Sequence, residues 1–290
     1  MKKSFVFIIL ILSLCFSLIP ISLQALEVAQ VDQAKVRLII APGGTKTGSI
    51  KIDNPSPEAK LIKIYLEDWV YLPPCDGTKD FKPIGSTALS ASSWISFSPS
   101  EFTIAPFGRQ TLNYAVKVPE EAQGGHYAVI FFENYLDDSG KGTSEGVNVN
   151  LAIRVATLFY IEPEGTIKRE AKIDDFEVSS KDGKLKISLK LSNIGNVDIT
   201  TNSTFFILDK KGAVAARGQF NNVYTLPGDS VVLTANWKEL IAEGSYDLIL
   251  SIDIGKALEE AELGRGPVIT KEAKINFASD GSVISVGELK

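Results

Sequence analysis

Histidine occurs once in the 290-residue sequence, methionine once and cysteine twice. One imidazole, His126, and two thiols cannot supply the nitrogen and sulfur donors of a zinc site. A nucleophile and base made of Cys75 and His126 would have no local motif and no third group to orient them. Lysine and arginine form no block, and the formal charge is −5, so the sequence offers no clustered basic face to neutralise a nucleic-acid backbone. No glycine-rich loop leads from a strand into a helix, which excludes the common phosphate cradle. No cofactor and no metal are implied, and the chain reads as a binding protein, not an enzyme.

Long hydrophobic runs are also absent, with one exception. The sequence starts MKKSFVFIILILSLCFSLIPISLQALEVAQ, where Lys2 and Lys3 precede an apolar stretch from Phe5 to Leu18 and small residues follow near Ala25. That order is an export signal. Residues 1–25 are expected to be a signal peptide, so the mature chain would begin near Leu26 and act in the periplasm or at the cell surface. Because the apolar run reaches Leu23, a retained membrane anchor is the competing reading. Loss of Cys15 with that segment leaves Cys75 alone in the turn-rich YLPPCDGTKD, and no internal disulfide can staple the chain.

What is present is alternation. GSIKIDN, KLIKIYLED, TLNYAVKV and KLKISLKLSN each place apolar residues at every second position, the period of a half-buried strand. Outside the first segment no long stretch follows a helical period, although GKALEEAELG would suit one or two turns. The order of signals then repeats. A strand ending in Asn54, IAPFG and GGHYAVI in the first half answer a strand ending in Asn193, LPG and EGSYDLIL in the second, and Tyr71 to Ala91 reads as a surface insertion in the first copy. The expected fold is all-β: two tandem immunoglobulin-like β-sandwich domains, at 31–164 and 168–280, with a C-terminal tail at 281–290. Tyr127 and Tyr246 each follow a glycine-containing turn at the start of a late strand, the place of a tyrosine corner. His126 opens the same strand, and Ser245 takes its place in the second copy, which favours a structural role for His126. The loop YLDDSGKGTSEG groups Asp137, Asp138 and Glu145 without the ligand alternation of a calcium loop.

The stretches TGSIKIDNPS, SPSEFTIAPFGRQTLNYAVKVPEEAQGGHYAVIFF and LAIRVATLFY resemble the first domain of PapD-like periplasmic chaperones over roughly Ala34 to Pro163. They are also similar to the peptidoglycan-binding domain of WxL-associated surface proteins. The chaperone resemblance implies two immunoglobulin-like domains that meet at a cleft, where basic residues hold the carboxylate terminus of a subunit and an edge strand completes the subunit's sheet. It assigns Arg37 to the first basic position, and Thr157 stands where the second would be. It implies that Val147, Val149, Leu151, Ile153 and Val155 form the edge strand that meets a partner, and the competing reading packs them into the domain's own core. The partner would be an envelope or surface protein bound by strand addition, and the chain a chaperone-like assembly factor. The second resemblance implies instead a structural surface module that holds peptidoglycan or another glycan.

Overall fold

A computed structural model of the chain describes residues 28–136, 151–181 and 183–290, without the side chains of Leu136 and Leu151. The expected signal segment, the acidic loop, Val147 and Val149 lie outside the described residues.

The chain is all-β. Its first ten strands are β1 (Gln30–Val31), β2 (Lys35–Ile40), β3 (Thr45–Asp53), β4 (Lys60–Tyr71), β5 (Lys79–Lys82), β6 (Ile95–Ser98), β7 (Glu101–Ile104), β8 (Arg109–Lys117), β9 (His126–Leu136) and β10 (Leu151–Pro163). They form two facing sheets, one ordered β1-β3-β8-β6 and the other β2-β10-β9-β4-β5, with β7 also on β4. Alternation decides which residues meet between them. Ile50, Ile52, Leu112 and Val116 from one sheet, and Ile62, Ile130, Phe132 and Phe159 from the other, form one buried cluster. Each such side chain contributes roughly 1.5–3 kcal/mol on leaving water.

The second ten are β11 (Ala171–Lys181), β12 (Lys184–Asn193), β13 (Ile199–Thr200), β14 (Asn202–Leu208), β15 (Val214–Gln219), β16 (Tyr224–Thr225), β17 (Ser230–Trp237), β18 (Gly244–Asp253), β19 (Val268–Phe277) and β20 (Val283–Val286). Sheets β11-β12-β17 and β15-β14-β18-β19-β20 pack together, and β13 pairs with β16. On β12, Leu185, Ile187, Leu189 and Leu191 are buried while Lys184, Lys186 and Lys190 are exposed, as the two-residue period requires. The last ten residues are not a free tail: β20 pairs with β19, and Lys290 exchanges two backbone hydrogen bonds with Glu272.

The internal repeat has a physical basis in two asparagines. The Asn54 amide donates to the carbonyls of Glu58, Ile104 and Ala105, and that of Asn193 to the carbonyl of Val197 and the hydroxyl of Thr225. Each backbone N–H also reaches the turn before the next strand, at Gly108 and Asp229. Both side chains are buried, and their polar groups are satisfied by the turns they organise.

The residues from Tyr71 to Ala91 are more than a surface insertion. Buried Asp68 accepts hydrogen bonds from the Thr87 amide and hydroxyl and from the hydroxyls of Ser90 and Ser92, and so clasps this segment to β4. Burial pushes its pKa up, and these four donors outweigh burial and bring it below the ordinary carboxylate range. A depressed folded pKa gives stability that is present above the unfolded value and lost as pH falls through the folded one. Asp68→Asn should therefore destabilise the chain by about 1–3 kcal/mol at neutral pH. The gap from wild type in denaturant melts should narrow on acidification below the carboxylate range.

Candidate functional site

β9 is buried on both faces. Ala128, Ile130 and Phe132 belong to the first sandwich's own core, whereas Tyr127, Val129 and Phe131 join a second cluster that continues into the core of the second half. Trp69 is central where the two halves meet. Its ring lies 5.0–5.4 Å from those of Tyr71, Tyr127 and Tyr160, and its indole N–H donates to the Ala128 carbonyl. Tyr224 from the second half stacks on Tyr71 and donates its backbone N–H to the carbonyl of Cys75. Cys75 is buried there, and burial, with Asp229 and Asp76 nearby, pushes its thiol pKa up, which disfavours the reactive thiolate.

The glycine pair before His126 belongs to this junction. Gly124 has φ +74°, and a Cβ there would stand 2.6 Å from the Asn196 carbonyl oxygen. That carbonyl accepts the Gly125 N–H, while the Asn196 side chain bonds the linker at Thr166 and Lys168. His126 itself is half-buried against the Trp94 ring at 4.2 Å, and burial lowers its pKa. The two tyrosines are not equivalent. Tyr246 donates to the Ala242 carbonyl four residues back, the geometry of a corner, but the Tyr127 hydroxyl accepts the backbone N–H of Asp198 across the junction at 2.6 Å. Tyr127 thus departs from the corner role because its partner lies in the other half. Tyr127→Phe should cost about 1–3 kcal/mol by stranding that buried amide, and Tyr246→Phe about 1 kcal/mol. Paired denaturant melts would check the ranking.

Arg37 lies at the centre of the junction. Its guanidinium packs over the Tyr160 ring at 4.6 Å, pairs with Glu162 on β10, and makes two bonds to Asp198, at 3.0 and 2.6 Å. Arg169 pairs with the same Glu162. Burial opposes the charge on Arg37, but Asp198 and then Glu162 outweigh it and raise the pKa. The side chain is 1% exposed. Arg37 therefore departs from the partner-binding role assigned by resemblance, because two carboxylates of its own chain occupy the fork that would hold a partner's. Thr157 is buried, and its hydroxyl donates to the Gln33 carbonyl.

At the mouth of the same junction two lysines lie over the aromatic floor. Lys35 stands 5.3 Å from the Tyr160 ring centre and pairs with Glu260 in the short helix α1 (Lys256–Glu260) of the second half. Lys79 stands 5.2 Å from the ring centre of Tyr71 and 5.6 Å from that of Trp69, and has no acidic partner among the described residues. Burial lowers its pKa, and the charge of Lys35 lowers it further. Lys35 also marks a boundary on β10. β2 pairs in parallel with β10 from Leu158 to Pro163 only. From Leu151 to Thr157 β10 pairs with β9 on one side, and among the described residues no strand occupies the other. Ile153 and Val155 are half-buried there and, with Val28, Ala29, Phe132 and Asn134, line a small void at the open end of the sandwich. On the outer face Arg154 stacks on Phe131 at 4.1 Å and pairs with Glu67.

No family model matches the chain, and no curated protein sequence does. Solved structures do. The similarity is to fimbrial chaperones. A class 5 fimbriae chaperone, CfaA, shares 13% identity at a TM-score of 0.46, covering 84% of this chain and 98% of its own. The Salmonella enterica SafA pilin–SafB chaperone complex gives 12% identity and a TM-score of 0.41, over 85% and 96% of the two chains. The E. coli chaperone DraB gives 12% and 0.39, over 84% and 98%.

Proposed function

We propose that the protein is a non-enzymatic, exported binding protein that receives the end of an extended polypeptide from another envelope or surface protein, in the manner of an assembly chaperone. The observation that carries this reading is the half-open edge of β10, with Lys35 and Lys79 at its foot. An incoming backbone would hydrogen-bond to the free edge from Leu151 to Thr157. Its terminal carboxylate would lie between the two ammonium groups and relieve their mutual repulsion. A chain that ends beside Leu158 and extends toward Leu151 runs parallel to β10.

The experiment compares binding of a set of C-terminal peptides from exported surface proteins, each with a free and an amidated terminus. The free acid should bind to wild type at least about tenfold more tightly than the amide, and Lys79→Glu should remove that difference. Binding should also weaken as pH rises through the lowered pKa of Lys79, earlier than an ordinary lysine would allow. Equal affinity for acid and amide would overturn the carboxylate role. Failure of every peptide to compete with a partner captured by the whole chain would overturn strand addition.

A further inference from the structure

Lys35 stands at the junction mouth with an acid already on it. Its ammonium pairs with Glu260 at 3.2 Å, and the two side chains are 34% and 38% exposed. An ion pair as open as this adds little to stability, and the closed Arg37–Asp198 pair joins the halves far more firmly. The arm that carries Glu260 is nevertheless firmly built. It leaves β18 through Ile254, whose N–H donates to the Pro267 carbonyl where the chain returns toward β19. At that neck Gly255 and Gly266 touch, and a Cβ on Gly255 would stand 2.1 Å from the Gly266 Cα. Beyond the neck α1 packs on β13 and buries Ala257, and the Leu263 N–H closes the following turn on the Leu258 carbonyl. β13 begins at Ile199, next to Asp198, so the contact that joins the halves also sets Glu260 beside Lys35. Glu259, one position earlier, is exposed and makes no ion pair among the described residues.

We propose that Glu260 is a resident competitor for the partner's terminal carboxylate. The inference rests on the reading that such a terminus binds between Lys35 and Lys79, and it adds how that binding is limited and reversed. In the free protein Glu260 neutralises one of the two lysines. An arriving terminus has to share Lys35 with Glu260 or take the lysine from it, and two carboxylates on one ammonium repel each other. The partner is therefore held less tightly than two unopposed lysines would allow. As the terminus leaves, Glu260 on its fixed arm regains Lys35 at once, which speeds release. An assembly factor has to hand its partner on, and a competitor built into the same chain loosens the grip without an added ligand. An amidated end carries no charge for Glu260 to oppose, so the effect is confined to the free acid.

The test measures association and dissociation of the tightest-binding C-terminal peptide of the set, as free acid and as amide, on wild type, Glu260→Gln and Glu259→Gln. Both side chains are exposed, so the variants should melt as wild type does. Glu260→Gln should bind the free acid about fivefold more tightly, chiefly through slower dissociation, and the amide as wild type does. Added salt should shrink the gain, and Glu259→Gln should alter neither affinity by more than about twofold. Wild-type affinity for the acid in Glu260→Gln, while wild type still prefers acid to amide, overturns the competitor and leaves the carboxylate site standing. Tighter binding of acid and amide alike marks a steric arm, and equal gains in the two variants mark the arm's overall charge. Weaker binding of the acid marks Glu260 as a support for Lys35, and each of these three results overturns the proposal. If neither wild type nor Glu260→Gln distinguishes acid from amide, the carboxylate site is absent and the proposal falls with it.

Discussion

Arg37→Ala should destabilise the chain by about 3–5 kcal/mol, the largest loss expected from any single ionic residue in it. The substitution removes the cation that faces Asp198 and Glu162 in a site closed to water, and an unpartnered buried carboxylate costs far more than an exposed pair contributes. Arg169 still pairs with Glu162, so the stranded charge is chiefly Asp198. A double-mutant cycle with Asp198→Ala should therefore be strongly non-additive, with the double variant well short of the summed losses. Because Arg37 is on β2 and Asp198 lies between β12 and β13, the coupling energy reads directly on how firmly the two halves are held. Additive losses would mean that the ion pair does not bear on stability. Urea denaturation of the four proteins is sufficient.

Trp69→Ala should cost about 3–5 kcal/mol for a different reason. The indole is 1% exposed and touches aromatic rings from β4, β9 and β10, so truncation leaves a cavity that rigid neighbours cannot close. The Ala128 carbonyl also loses its indole donor. Trp69→Phe keeps most of the apolar volume and should recover more than half of the loss. If the two variants melt alike, packing at the junction is not what the indole contributes.

Much of the fold was legible because strands write their faces into the sequence. Leu185, Ile187, Leu189 and Leu191 alternate with polar residues, and the paired asparagines at 54 and 193 mark the repeat in the sequence itself. The opposed faces of β9 were legible too, as Tyr127, Val129 and Phe131 against Ala128, Ile130 and Phe132. What alternation cannot say is which cover each face receives, and so the outward face of β9 gave no sign of the second half packed upon it. The role of Tyr127 was missed on the same ground, since a hydroxyl's acceptor or donor in another domain has no spacing in the chain. The ionic centre did leave a trace. Glu162 in LFYIEP and Asp198 in VDI are single acids beside apolar residues, a placement that calls for a buried cation. Lys35 and Lys79 left none.

The two-sided burial of β9 also bears on the order in which the chain becomes safe. During synthesis the first ten strands emerge ahead of the second ten, and their sandwich can close with Tyr127, Val129, Phe131 and Trp69 still facing water. Until the following hundred or so residues arrive to cover it, the nascent protein presents an adhesive aromatic surface. Truncation near Lys168 would make that interval permanent. The fragment should form its strands and then self-associate, and a protease that finds a stalled chain would meet a folded sandwich with one unfinished side.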